Sequence, residues 1–106
     1  MIPDIVSSID QAKIQDTWSR YYNGERNVFT KRLYNLHGQR IFDNIQSKYS
    51  RDRKFRSTVD DFIDQFEQQL DYIGQNDRDG SQMEGMLLTD NGRAYTMLAH
   101  ASGRFH

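Results

Sequence analysis

Metal and acid–base chemistry would fall to three histidines, three glutamates and a cluster of aspartates in this sequence. A metal site would need His37 and His100 to converge with carboxylates such as Asp61 or Asp64, and no short ligand motif brings them together. His37, beside Gly38, and His100, in an alanine-rich segment, fit packed or half-exposed neutral histidines better than ligands. His106 lies at the end of the chain, past the last expected helix. A diiron centre in a helical bundle needs Glu-x-x-His pairs facing the core. Glu25, Glu67 and Glu84 have no histidine three residues later, and Asp60, Asp61 and Asp64 fall mainly on a polar helical face.

The stretch Asp77-Arg78-Asp79-Gly80-Ser81 has the alternating oxygens of a calcium loop. With Gly80 at the glycine position, however, the bidentate acid should fall at Met86, and Glu84 comes too early. Turn chemistry alone accounts for it. Asn91-Gly92-Arg93 is too short to cradle a phosphate, and no serine sits in a nucleophile context. With no cysteine, thiolate ligands, disulfides and a cysteine nucleophile are excluded, and a reducing, cytoplasmic setting is the natural expectation. No cofactor is implied. A small enzyme with a pocket around His37 and Tyr95 ranks last among the functional readings, and the expectation is a protein that is not an enzyme.

The elements that would position any site are helical. One proline, at position 3, leaves the rest of this 106-residue chain free to form long helices. A first helix is expected over 8–22, with Ser8 and Gln11 at capping-box spacing and Asn23-Gly24 as its stop. A second is expected over 26–49, where Phe29, Leu33, Leu36, Ile41, Ile45 and Tyr49 recur at helical steps, with Gly38 inside it. The third, over 53–73, is the clearest. Phe55, Val59, Phe62, Ile63, Phe66, Leu70 and Ile73 alternate with polar residues at the helical period, and Asp52 is a candidate N-cap. Residues 75–88 read as a loop anchored by Met86, Leu87 and Leu88. A last helix over 90–102 starts at Thr89 or Asp90 and ends at Gly103. The expectation is all-α: one domain over 1–106, an antiparallel bundle of three to four helices with a long central hairpin and a shorter C-terminal helix.

Charge narrows the partners. Fourteen basic against fifteen acidic residues give a net charge of −1, so no global field draws the chain to nucleic acid or to an anionic bilayer. No apolar run approaches the length of a membrane span, and the first residues lack the basic cluster of a secretory signal. The 53–73 helix carries cations at its start and carboxylates toward its end, against the helix dipole. Pairing with the preceding helix, Arg40 near Asp61 and Lys31 or Arg32 near Asp71, is one explanation. The remaining cations, Lys48, Arg51, Arg53, Lys54 and Arg56, crowd at the turn between the two helices. They define an alternative reading as an anion- or nucleic-acid-binding tip.

The leading expectation is a non-catalytic helical protein–protein interaction module. Trp18, Tyr21 and Tyr22 with Phe105 supply aromatic anchors, and two adjacent tyrosines cannot both point inward. The partner is another protein or a second copy, a homodimer being one way to complete the core. A domain excised from a larger protein fits the same pattern.

Overall fold

The computed structural model describes residues 2–105. The described chain is all-α, but the expected bundle of three to four helices is overturned: six helices form. They are α1 (Ile2–Ser7), α2 (Gln11–Tyr22), α3 (Leu36–Arg51), α4 (Arg53–Gly74), α5 (Ser81–Leu87) and α6 (Asp90–Ala101), with a 3-10 turn at Lys31–Leu33.

The expected 8–22 helix is two helices. Asp10, not Ser8, caps α2, its carboxylate accepting from the amides of Ala12 and Lys13 at 2.8 and 3.3 Å. Ser8 is buried and donates its hydroxyl to the Ile5 carbonyl at 2.7 Å, closing α1 instead. Helix α2 ends at Gly24, whose φ of 89° lets the amides of Gly24 and Glu25 return to the carbonyls of Tyr21 and Arg20.

The expected 26–49 helix is also corrected. Residues 23–35 are non-helical apart from the 3-10 turn, and α3 starts only after Asn35, whose side chain accepts from the Gly38 amide at 2.8 Å. Gly38 therefore sits in the first turn. It is glycine because the backbone passes close to α1: a Cβ there would come within 2.5 Å of Ser8 Cβ and 2.8 Å of Tyr34 Cβ. An isolated antiparallel bridge pairs Ile9 with Tyr34 beside this contact.

Helix α4 begins behind Asp52, which accepts from the Phe55 amide at 3.1 Å. Its apolar stripe buries Val59, Ile63, Phe66 and Leu70. The expected loop over 75–88 contains α5. Its first turn is held by Asp79 and Asp77, which accept from the amides of Ser81 and Met83 at 3.0 and 2.9 Å. Helix α6 is the centre of the molecule rather than a short closing piece. It packs against α1, α3, α4 and α5. All of its residues from Ala94 to Ala99 are buried, including Thr96 and Met97, which a one-faced reading places outside. A helix buried on every side must be apolar or small-residued all round, and TMLA beside alanines meets that condition. Gly103, at φ 85°, terminates it, with Arg104 N–H reaching back to the Ala99 carbonyl at 2.9 Å.

Candidate interaction surface

Trp18 organises the aromatic side of the molecule. It is 3% exposed, and its indole N–H donates to Thr96 Oγ1 at 3.1 Å. That hydroxyl in turn donates to the Gly92 carbonyl at 2.8 Å, so a buried polar group is satisfied through a chain of two bonds. Around the indole, Tyr21, Phe29 and Phe105 approach edge-on with centroids 5.5, 4.9 and 5.3 Å away. Tyr22 and Tyr95 stack on it at 5.7 and 6.1 Å. Each such pair contributes roughly 0.5–1.5 kcal/mol beyond the area it buries.

Of the four aromatic residues singled out by sequence, Trp18 therefore belongs to the core. Phe105 is half-buried, stacked on Phe29 at 4.2 Å. Tyr21 and Tyr22 stand at the surface, 39% and 53% exposed. Burial, with the neighbouring Tyr21 hydroxyl and the carboxylates of Asp71 and Glu67, raises the Tyr22 phenol above its ordinary value.

Beside Tyr22 a groove of about 330 Å³ opens between α2 and α5. Tyr22 and Met83 supply apolar walls over a floor of the buried Trp18 and Leu87, and Asp79 and Glu84 supply carboxylates. Hydrogen bonds from Ser81, above all its backbone amide, lower the Asp79 carboxyl below its ordinary value. Glu84 also accepts a hydrogen bond from the Gln15 side chain of α2, linking α5 to α2. Sequence reasoning missed Met83, Asp79 and Glu84 as parts of one site because it left α5 as loop. The available signal was the four-residue step from Met83 to Leu87, which places both on one face of a helix.

The basic tip is partly consumed by the fold. Arg56 donates to the carbonyls of Tyr49 and Ser50 at 2.9 and 2.8 Å, closing the C-terminal end of α3. Lys48 lies over the Phe55 ring at 4.7 Å. Arg51, Arg53 and Lys54 are exposed. The acidic run of α4 is not answered by Arg40. Instead Asp60, Asp64 and Glu67 converge on Arg104 at 3.5, 3.2 and 3.3 Å, and Lys31 pairs with Asp43. Tyr49 donates to Asp60 at 2.7 Å, joining α3 to α4.

His37 is exposed at the start of α3, and the Tyr95 hydroxyl donates to Glu67 at 2.8 Å. The histidine that meets a tyrosine is His100, whose Nδ1 lies 2.8 Å from the Tyr34 hydroxyl. His106 is outside the described residues. Among the described residues no three metal-ligating side chains group together, and no helix is long and apolar enough to cross a membrane.

Fold and surface together define an all-α domain built round one buried helix, with an aromatic groove edged by acids. Comparison with protein-family models, with curated proteins and with solved structures finds no match.

Proposed function

We propose that this chain is a non-catalytic protein-interaction module. In this reading its α2–α5 groove takes an apolar side chain of a partner protein that is flanked by lysine or arginine. The observation that carries the reading is the groove itself: Trp18, Tyr22, Met83 and Leu87 beside the carboxylates of Asp79 and Glu84. Methionine adapts its shape to different apolar groups, and exposed tyrosine offers a large area with a polar tip. The two acids favour a cationic flank and disfavour an acidic one, which sets specificity as well as encounter rate. The absence of cysteine suits a cytoplasmic partner.

A displayed library of random peptides, selected on the folded protein, tests this. Enriched peptides should carry an aromatic or aliphatic anchor within a residue or two of Lys or Arg. Tyr22→Ala should weaken them at least about fivefold, on the scale of an interface anchor. The double variant Asp79→Asn, Glu84→Gln should flatten their salt dependence; asparagine keeps the turn, since it caps as well as aspartate. Peptides without that pattern, or binding unchanged in both variants, would reject the reading.

A further inference from the structure

On another face of α2 lies a cavity of about 420 Å³ against the segment 27–33. Lys13, Asp16, Thr17 and Arg20 line it from the helix, at the steps of three, four and seven that share one face. Arg32 and Thr30 line it from the opposite wall. The cations are not equivalent. Arg20 is already committed, its Nε 3.2 Å from both oxygens of Glu25 and its Nη1 3.9 Å from Asp16. Lys13 and Arg32 make no ion pair among the described residues. Two unanswered positive charges from different elements thus border one concave space beside two threonines.

We infer that this cavity binds a phosphate monoester, with Lys13 and Arg32 holding its oxygens and the Thr17 and Thr30 hydroxyls as further donors. The charge decides the class. A monoester carries nearly two negative charges at pH 7, its second proton leaving near pH 6, and the lining sets Lys13, Arg20 and Arg32 against the single carboxylate of Asp16. The guanidinium of Arg32 can meet two phosphate oxygens at once, while Lys13 acts as a point charge. A polynucleotide is the poorer fit, because its further phosphates would extend past the cavity toward the exposed carboxylates of Asp16 and Glu25, whereas a monoester presents a single phosphoryl group. A carboxylate is poorer too, with half the charge. The site lies apart from the α2–α5 groove and does not depend on its function.

The test is an amide-resolved NMR titration at constant ionic strength with inorganic phosphate, O-phosphoserine and acetate. Phosphate should shift the amides of Thr17, Thr30 and Arg32 saturably, and should bind more tightly as pH rises from 5.5 to 7.5. Lys13→Ala and Arg32→Ala should each weaken binding about fivefold or more. Both residues are exposed, so the variants should melt with the parent chain. The tip variant Arg53→Ala, Lys54→Ala should leave binding unchanged. Phosphoserine tighter by tenfold would assign the site to a phosphorylated side chain, and parity would assign it to free phosphate; both support the class. Non-saturating shifts, acetate binding equal to phosphate, unchanged affinity in the two cavity variants, or shifts centred on Arg51 to Lys54 would each overturn it.

Discussion

Tyr34 and Tyr95 are the residues whose chemistry the fold alters most. Burial pushes the Tyr34 phenol far above its ordinary value of 10.0. Burial does the same to Tyr95, reinforced by its hydrogen bond to Glu67. Tyr34 therefore stays protonated across the physiological range, with its hydroxyl 2.8 Å from His100 Nδ1. The linkage has one sign. A group whose folded pKa is raised contributes fully below its unfolded pKa, and that contribution is lost as pH climbs above it. Here the unfolded chain ionises near 10 while the folded chain does not, so each phenol should remove about 1.4 kcal/mol of stability per pH unit above that point. Urea midpoints from pH 8 to 11.5 should fall, and Tyr34→Phe should reduce the slope by one such increment. Parallel curves for parent and variant would show that Tyr34 ionises freely in the fold.

At the scale of elements, what was legible in the sequence were signals that stay local. Asp52 before α4, Thr89 before α6 and Gly103 after it act within three or four residues of themselves, and the α4 stripe repeats often enough to fix its own phase. The breaks that went unread depend on distant partners. Ser8-x-x-Gln11 spells a capping box, yet Asp10 caps α2 because Ser8 is drawn to Ile5 and its carbonyl receives the Asn35 amide at 3.0 Å. The apolar rhythm through Leu33, Leu36 and Ile41 continues across a chain that is in fact turned by the Ile9–Tyr34 bridge. Leu36, on that rhythm, ends up exposed. The groove was half legible: the aromatic residues of α2 stood out, while its acidic wall waited on α5. Likewise the reversed charge of α4 was visible, but Arg104, its partner, lies 40 residues from Asp64. The α1–α3 contact makes this testable. Gly38→Ala should cost about 1–3 kcal/mol through overpacking against Ser8 and Tyr34. Removing the two nearest of the obstructing atoms, Ser8 Cβ and Oγ, with Ser8→Gly should make the double variant more stable than the sum of the single effects, by at least about 0.5 kcal/mol. Strict additivity in denaturant unfolding would mean the two backbones part without cost.

For the whole molecule, the question is whether one chain completes its own core. A homodimer is expected where the amphipathic stripes lack cover within one chain. With α1, α3, α4 and α5 packed on α6, and Trp18 reaching it from α2, the stripes are spent inside the chain. The Cα radius of gyration of 13.4 Å matches the roughly 13 Å of a compact single domain of this length. Among the described residues the large apolar side chains left in water are Tyr21 and Tyr22 on α2, Leu36 on α3 and Tyr72 on α4, fewer than the continuous apolar patch of a stable dimer needs. Light scattering after size separation should therefore give one species near 12.5 kDa from micromolar to near-millimolar concentration, insensitive to salt. A species of twice that mass would contradict the closed core. Its response to Tyr22→Ala would then separate two causes. Dissociation would make a second copy the occupant of the α2–α5 groove, whereas persistence would move the interface to the exposed side of α4 around Tyr72.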